Sequence, residues 1–303
     1  MKDLAIMYHY ILEPELWTGS VPLSPKNFRE QVQWAKENYA IITSKDFEEI
    51  LDKPKCVITF DDATKDQYTN AYRILKEENI RGYFAIMLGP IATKKIPIFH
   101  LVHAILSKVQ DEKLWDDLRS TFEIASNIEE MSSIYYYEKN KFRRYNKYVL
   151  NFLLPEDESR VFLEDKMREL YGSLDDFIDE FYINPNEIKE MHQNGMEIGV
   201  HCVHHRPYKG DAQTFYDNEI KPCYDYLTDL LGEAPKWYSP AFGGGQNTAT
   251  MLKELTPILS KSGFIGGFTT IEGFCDLNSD AFWHNRVDCN KLELFLQRGA
   301  LKV

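Results

Sequence analysis

Two adjacent carboxylates, Asp61 and Asp62, follow directly after the apolar run "VITF". Neighbouring like charges in a partly dry place repel each other, so one of them normally takes up a proton or binds a cation. A solvated turn or a helix N-cap is the structural alternative, because Asp often ends a strand and begins a helix. The pair therefore indicates either an ordinary turn or the acidic part of a metal centre.

A second segment contains side chains that could bind a metal or take part in catalysis. Its sequence is "EIGVHCVHHRP", and it contains His201 and, four residues later, His205. Pro207 disfavours helical geometry at Arg206, so we expect a strand end that leads into a tight turn. No Glu follows His201, which excludes the HExxH pattern of zinc proteases. Two surface histidines can produce the same spacing, so this pair alone is weak evidence for a metal.

Apolar runs separated by helical patterns recur along the chain and define the fold class. The predicted strands lie at residues 4–8, 40–44, 56–60, 81–88, 196–201, 235–240 and 264–270. Strands that alternate with helices indicate an α/β fold of parallel units, and about seven such units favour a barrel over an open sheet. No GxGxxG follows the first strand, so a dinucleotide-binding fold is not predicted.

Residues 94–184 differ in character, being helical, charged and rich in tyrosine. We interpret them as a helical insertion within a single domain that spans residues 1–303, and as a cap over the strands. In a parallel barrel every strand opens at its C-terminal end onto the same face. Asp61, Asp62 and His201 each lie at such an end, so the fold is expected to bring them together.

One carboxylate and two neutral imidazoles form an open three-ligand site for a divalent metal. The second carboxylate, next to the metal but not bound to it, is placed to act as general base on a water molecule. The cation would also remove the repulsion between the paired acids. A metal-dependent hydrolase is therefore the chemistry that the two segments favour together.

These segments resemble the motifs of the NodB-type polysaccharide deacetylases, carbohydrate esterase family 4. Residues 59–62 match the motif T-F-D-D-G, with Ala63 in place of its glycine. Residues 201–205 match H-[ST]-x-x-H-P, with Cys202 in place of the hydroxyl residue and Arg206 inserted before the proline. The resemblance covers roughly residues 4–92 and 183–303, and it implies a distorted (β/α) barrel of about seven strands.

The resemblance implies that Asp61 is the catalytic base and that the metal ligands are Asp62, His201 and His205. Zinc is the expected metal, with cobalt, nickel, manganese or iron as alternatives, because a set of one Asp and two His accepts all of them.

The later motifs of the family are altered. Tyr238 occupies the arginine position of the R-x-P-Y-G motif, and the segment "SDAFWHNRVD" resembles the place where many relatives carry an arginine instead. The resemblance thus implies that Arg286 is the partner of Asp61, or else a structural ion pair at the barrel rim. Backbone near Phe242 and Gly243 is implied to donate an amide to the tetrahedral oxyanion.

The acid that protonates the leaving amine has no obvious source. The L-x-H motif that supplies it in the family is absent from the final stretch "LELFLQRGALKV". His9, which ends the first predicted strand, and His284 are the candidates, and a metal-bound water or the substrate could also serve.

Composition limits the partners and the location. The formal charge of −12 over 303 residues argues against nucleic acid and anionic membrane surfaces as partners. Five scattered cysteines without a CxxC pair are typical of reduced thiols in a cytosol. No secretory signal and no run near the roughly 20 apolar residues of a membrane helix is present, so we expect a cytoplasmic protein without a transmembrane segment. Its oligomeric state is left open.

We therefore expect a metal-dependent carbohydrate deacetylase. The cytoplasmic expectation favours an N-acetylated amino sugar, a sugar nucleotide or a lipid-linked sugar as substrate over a mature cell-wall polymer. The alternatives are a hydrolase of the same fold that cleaves another non-peptide C–N bond, such as a deformylase or an allantoinase-like enzyme, and an inactive barrel that binds a glycan or a protein. Ala63, Tyr238 and the missing terminal histidine favour the inactive barrel, whereas the intact metal and base positions oppose it. A serine esterase is excluded because no GxSxG elbow is present.

Overall fold

Eight strands, all parallel, form one sheet in the computed structural model, which describes residues 2–47, 49, 51–242, 247–277 and 281–300. The strands are β1 (Leu4–Tyr8), β2 (Ala40–Ile41), β3 (Lys55–Phe60), β4 (Tyr83–Met87), β5 (Glu197–Cys202), β6 (Trp237–Tyr238), β7 (Gly266–Glu272) and β8 (Trp283–Asp288). Their order is β1-β8-β7-β6-β5-β4-β3, and β3 pairs in turn with β1. Seven strands thus close a barrel, while β2 pairs with the start of β3, and the predicted fold class is confirmed.

The chain divides into two units. The first, which contains the barrel, comprises Met1–Leu12, Leu23–Lys95 and Phe181–Val303, and the second comprises Glu13–Pro22 and Ile96–Glu180. The helices of the second unit are α3 (Ile98–Leu106), α4 (Asp111–Thr121), α5 (Ile128–Met131), α6 (Lys141–Tyr148), α7 (Glu156–Tyr171) and α8 (Leu174–Phe181), the last of which ends one residue beyond it. The capping role expected for the insertion stays a prediction.

The other helices belong to the barrel unit. They are α1 (Pro25–Asn38), α2 (Arg73–Glu77), α9 (Pro185–Gln193), α10 (Ala212–Phe215), α11 (Lys221–Leu231), α12 (Thr248–Lys261) and α13 (Leu292–Ala300). Ser24 caps α1 by accepting a hydrogen bond from the Asn27 amide at 3.2 Å. None of the described helices is long and apolar enough to cross a membrane.

Two π-helical turns adjoin α-helices of the barrel unit. Residues 67–72 form one before α2, and Tyr216–Ile220 form another between α10 and α11. Pro222 lies just after the second turn and has no amide hydrogen to donate to the preceding turn. The wider turn thus lies just before a residue that cannot donate a helical hydrogen bond.

The alternation of side chains along the strands decides which residues enter the barrel. On β1, Leu4, Ile6 and Tyr8 pack in the large apolar core, whereas Ala5 belongs to a second cluster that includes Val57 and Phe268. Because side chains on a strand alternate with a period of two, Val57 shares its face with Thr59 and, one step further, with Asp61. The position of Asp61 thus follows from the register of β3.

Two predicted strands are shorter than expected, and one strand was not predicted. The strand predicted at residues 40–44 ends at Ile41, because Thr43 and Asp46 form a capping box around a short 3₁₀ turn. The strand at 235–240 is reduced to two residues between prolines. The sequence "WHNRVD" of β8 lacks an apolar pattern, so the strand that completes the barrel was missed.

Candidate active site

A fully buried ion pair lies at the carboxyl end of β3. The guanidinium of Arg286, on β8, donates from Nη1 to Oδ1 of Asp61 at 2.9 Å and from Nη2 to Oδ2 at 2.7 Å. It also donates to the Thr59 hydroxyl at 3.1 Å and to the Thr269 carbonyl at 2.8 Å. These bonds hold the guanidinium in one orientation, and the guanidinium in turn holds both oxygens of the Asp61 carboxylate in place.

The pair controls the charge of Asp61. Burial alone would raise the pKa of this carboxyl, since the carboxylate loses its water. The charge of Arg286, then that of His201 and the hydrogen bonds from Arg286, together outweigh burial, so the pKa of Asp61 is lowered. Asp61 is therefore ionised at neutral pH and able to accept a proton.

A left-handed turn follows Asp61. Asp62 has φ of +79° and Ala63 has φ of +55°, a region that costs an L-residue roughly 1–2 kcal/mol. The Ile183 amide donates to the Ala63 carbonyl at 3.0 Å, and Thr64 and Tyr182 form an isolated antiparallel β-bridge. This backbone conformation explains why glycine suits the position that Ala63 occupies, and it directs the Asp62 side chain away from that of Asp61.

The two histidines of the second segment meet Asp62. His201 lies on β5 with 2% of its side chain exposed, and its Nε2 is 3.2 Å from Oδ1 of Asp62. Nε2 of His205 lies 3.7 Å from the same oxygen. One potential ligand atom from each of the three residues lies within 4.8 Å of the others.

Hydrogen bonding determines which nitrogen of His201 can bind a metal. Nδ1 lies 2.7 Å from the Ser239 carbonyl, which can only accept, so Nδ1 carries the hydrogen. In the neutral ring the lone pair of Nε2 then faces a carboxylate oxygen, and two such acceptors repel unless a proton or a cation lies between them. One carboxylate and two imidazoles are a donor set that zinc and related ions take, so these residues fit a divalent metal.

The protonation of His201 reflects the same environment. Burial disfavours the charged ring, but the hydrogen bond to Asp62 and the charges of Asp61 and Asp62 outweigh it, and the pKa of His201 is raised. The pocket thus favours positive charge at the point where the three side chains converge.

Phe242 lies beside the metal-ligand candidates. Its ring contacts that of His205 edge to face, with centroids 4.4 Å apart, and 43% of the residue is exposed. Both residues have positive φ, +54° for Phe242 and +58° for His205. Gly243, the other residue implied in oxyanion binding, lies outside the described residues, so that amide donor stays a prediction.

The two candidate acids occupy different environments. His9 follows β1, is partly buried, and its charge contributes to lowering the pKa of Asp61. Its carbonyl accepts a hydrogen bond from Nε2 of Gln67 at 2.8 Å. His284 is 3% exposed among aromatic rings, and burial lowers its pKa to about 4. His284 is therefore neutral at physiological pH and a poor proton donor, whereas the catalytic role of His9 stays a prediction.

Three residues that support the site were missed in the sequence. Thr59 lies two positions before Asp61, and the strand period alone could have placed it on the same face. Thr269 and Ser239 contribute backbone carbonyl oxygens, to Arg286 and His201. Any residue type supplies a carbonyl, so no sequence signal was available for those two.

Comparison with known proteins supports this interpretation of the site. The family model described as polysaccharide deacetylase matches residues 160–257, about a third of the chain. The matched region contains His201 and His205 but not the Asp61–Asp62 pair. No curated protein matches the chain.

Several solved structures share the fold over nearly the whole chain. The Streptococcus pyogenes deacetylase PplD, solved in complex with acetate, is 18% identical, with a TM-score of 0.56 over 97% of this chain and 98% of that one. IcaB from Ammonifex degensii is 16% identical, with a TM-score of 0.57 and coverage of 98% and 97%. A de-N-acetylase from Aggregatibacter actinomycetemcomitans is 14% identical, with a TM-score of 0.54 and coverage of 97% and 100%. The family match and these folds confirm the resemblance to the polysaccharide deacetylases.

Proposed function

We propose that this relative of the polysaccharide deacetylases is a metal-dependent N-deacetylase that hydrolyses the N-acetyl group of an amino sugar or of a sugar-containing precursor. One observation carries the proposal. An ionised, arginine-paired Asp61 lies next in the chain to Asp62, whose carboxylate is 3.2 Å and 3.7 Å from two imidazole nitrogens. A base beside a potential metal centre is the arrangement that hydrolysis of an unactivated amide requires.

The proposed roles follow from the contacts. When bound by Asp62, His201 and His205, a divalent metal, for which we propose zinc, would polarise the acyl oxygen and acidify a water molecule. Asp61 accepts the proton of the attacking water. Arg286 keeps Asp61 ionised and prevents its carboxylate from rotating.

The leaving amine requires a proton, and we assign its delivery to His9. His9 is close enough to Asp61 for its charge to influence that carboxyl, and part of its surface is accessible. We assign stabilisation of the oxyanion to the backbone around Phe242, whose ring lies against His205.

The proposed substrate class is supported by the similar proteins and by the chemistry of the site. Among them are a deacetylase bound to acetate and a de-N-acetylase. We propose an N-acetylated amino sugar, a sugar nucleotide or a lipid-linked sugar, and a cytoplasmic location.

The test combines metal analysis with a substrate panel. Protein purified without chelator is assayed for bound metal and for release of acetate or formate. The panel contains an N-acetylamino sugar, its oligomers, a nucleotide-linked form and an N-formyl counterpart. We expect about one divalent ion per chain and release of acetate, with kcat/KM reduced roughly 10²–10⁴-fold in Asp61→Asn and unchanged in Asp229→Asn, which alters an exposed acid on α11.

Each contrary result has a defined meaning. Preferential release of formate would identify a hydrolase of the same fold that acts on another C–N bond. Absence of both metal and product would favour a barrel that only binds its glycan or protein partner.

A further inference from the structure

The loop that carries the second histidine ligand has to reverse direction sharply. β5 ends at Cys202, and His205 returns towards Asp62 only three residues later with a left-handed φ of +58°. Left-handed backbone costs a residue with a β-carbon roughly 1–2 kcal/mol, so surrounding contacts must hold it. The contacts that hold this loop therefore determine where the imidazole of His205 lies.

Two side-chain acceptors receive amide hydrogens of this loop, and the Val203 carbonyl accepts a further bond from the Gly89 amide at 2.9 Å. The His204 amide donates to Oε2 of Glu219 at 2.8 Å. The next amide, that of His205, donates to the sulfur of Cys202. Sulfur is a weak acceptor, whereas a hydrogen bond to a carboxylate is charge-assisted and contributes roughly 1.5–3 kcal/mol. Glu219 is thus the stronger of the two contacts.

The position of Glu219 is unusual for a carboxylate. It lies on the π-helical turn Tyr216–Ile220 and is only 1% exposed. Burial of an acid is costly unless hydrogen bonds or nearby positive charge compensate. An acid buried directly behind this loop and hydrogen-bonded to its backbone is placed to hold the loop in position.

We infer that Glu219 is a positioning residue of the metal centre: by holding the His204 amide it sets the loop of residues 201–205 so that His205 faces Asp62. The inference rests on the proposed function, because it assumes that Asp62, His201 and His205 bind the ion. Glu219 contacts the loop backbone through the His204 amide, so its effect on a bound ion would pass through His205.

The test measures the affinity of the full-length protein for Zn²⁺ alone, by competition with a chromophoric chelator after the metal has been stripped. Glu219→Met removes the acceptor and keeps the length of the side chain, whereas Glu219→Gln keeps an acceptor oxygen and removes the charge. Asp217→Asn is the matched control, because it removes one negative charge from an exposed position of the same turn. Circular dichroism and the melting temperature of the metal-free proteins establish that each variant is folded.

We expect Glu219→Met to bind Zn²⁺ roughly 10–100-fold more weakly, as is usual when an outer-shell partner of a metal site is removed. Glu219→Gln should be partly rescued, with a loss of several-fold, and Asp217→Asn should bind as the wild type does. A folded Glu219→Met with wild-type affinity overturns the inference. If Glu219→Met does not fold, an affinity of Glu219→Gln equal to that of Asp217→Asn overturns it equally.

The inference and the proposed function fail in different ways. If the wild-type protein binds no Zn²⁺, Co²⁺, Ni²⁺, Mn²⁺ or Fe²⁺, the proposed metal centre is refuted and the role of Glu219 with it. If the wild type binds Zn²⁺ and releases acetate while the Glu219 variants retain full affinity, only the positioning role is refuted.

Discussion

Replacement of Arg286 by methionine tests whether the buried ion pair controls the charge of Asp61. The change removes both hydrogen bonds that Asp61 receives, at 2.9 Å and 2.7 Å, together with the opposing charge. Methionine retains most of the length of the side chain, so little new cavity is expected. Removal of one partner of a buried pair leaves an uncompensated charge, and we expect a loss of roughly 3–5 kcal/mol in the free energy of unfolding at pH 7.

The pH dependence of this loss has a definite sign. In the folded wild type the pKa of Asp61 is lowered, whereas in the unfolded chain an Asp has a pKa of about 3.9. The stability that the pair contributes is therefore fully present above the pKa of the unfolded chain. It is lost as the pH falls through the pKa of the folded protein. Without Arg286 the main remaining influence on Asp61 is burial, which raises its pKa. The destabilisation of the variant should therefore be large at pH 7 and small near pH 3.

Urea denaturation of the metal-free protein at several pH values measures this directly. The double variant Asp61→Asn/Arg286→Met completes a mutant cycle and should be more stable at pH 7 than Arg286→Met, because the buried charge has been removed. In the enzyme assay, the acid limb of the kcat/KM profile of Arg286→Met should move to higher pH. A loss below about 1 kcal/mol at pH 7, or the same loss at every pH, would contradict the role assigned to the pair.

Three further predictions concern the neighbouring residues. Asp62→Asn should lose bound metal, measured by atomic emission after dialysis, whereas Asp217→Asn should keep it; retention by Asp62→Asn would exclude this carboxylate as a ligand. Ala63→Gly should change the free energy of unfolding by less than about 1 kcal/mol, because relief of left-handed strain, roughly 1–2 kcal/mol, is offset by loss of a buried methyl group, roughly 0.8 kcal/mol, and by the added freedom of glycine in the unfolded chain. Ala63→Val, which places a β-branched side chain in the same conformation, should cost more than about 2 kcal/mol, and an equal stability of the two variants would show that the turn is not strained. His9→Asn should reduce kcat on an N-acetyl substrate roughly 10²–10⁴-fold but should have little effect on an activated aryl acetate, whose leaving group needs no proton; an equal loss on both substrates would argue against His9 as the acid.

The parts of the structure that were predictable are those with a local physical signature. The buried strand β1 is a continuous apolar run, β3 is apolar apart from Lys55 and Thr59, and two acids follow β3 directly. In β8 the inward positions are polar instead, since His284 and Arg286 point into the barrel on alternate residues. An apolar period is therefore absent from β8, and only the resemblance of its segment to a motif drew attention to Arg286.

Contacts that depend on tertiary structure could not be predicted. The Ser239 carbonyl that fixes the tautomer of His201, and the carboxylate of Glu219 behind the same loop, lie 38 and 15 residues from their partners. Neither contact has a local pattern, because a carbonyl is present at every residue and an acid on a helix is ordinarily solvent-exposed. The short 3₁₀ turn at Ser44–Asp46 was missed for a different reason. The sequence of residues 40–44 is typical of a strand, but the side-chain hydrogen bonds of the capping box favour the turn over a continued strand.

The order in which the site residues are synthesised follows from the topology of the barrel. All three presumed ligands precede residue 206, whereas the guanidinium that neutralises Asp61 belongs to β8, the strand that also joins β7 to β1. Without β8 the barrel has an open edge between β7 and β1, and Asp61 lacks the guanidinium with which it pairs. Closure of the barrel and neutralisation of the buried Asp61 therefore depend on the same strand, the last of the described strands to be synthesised.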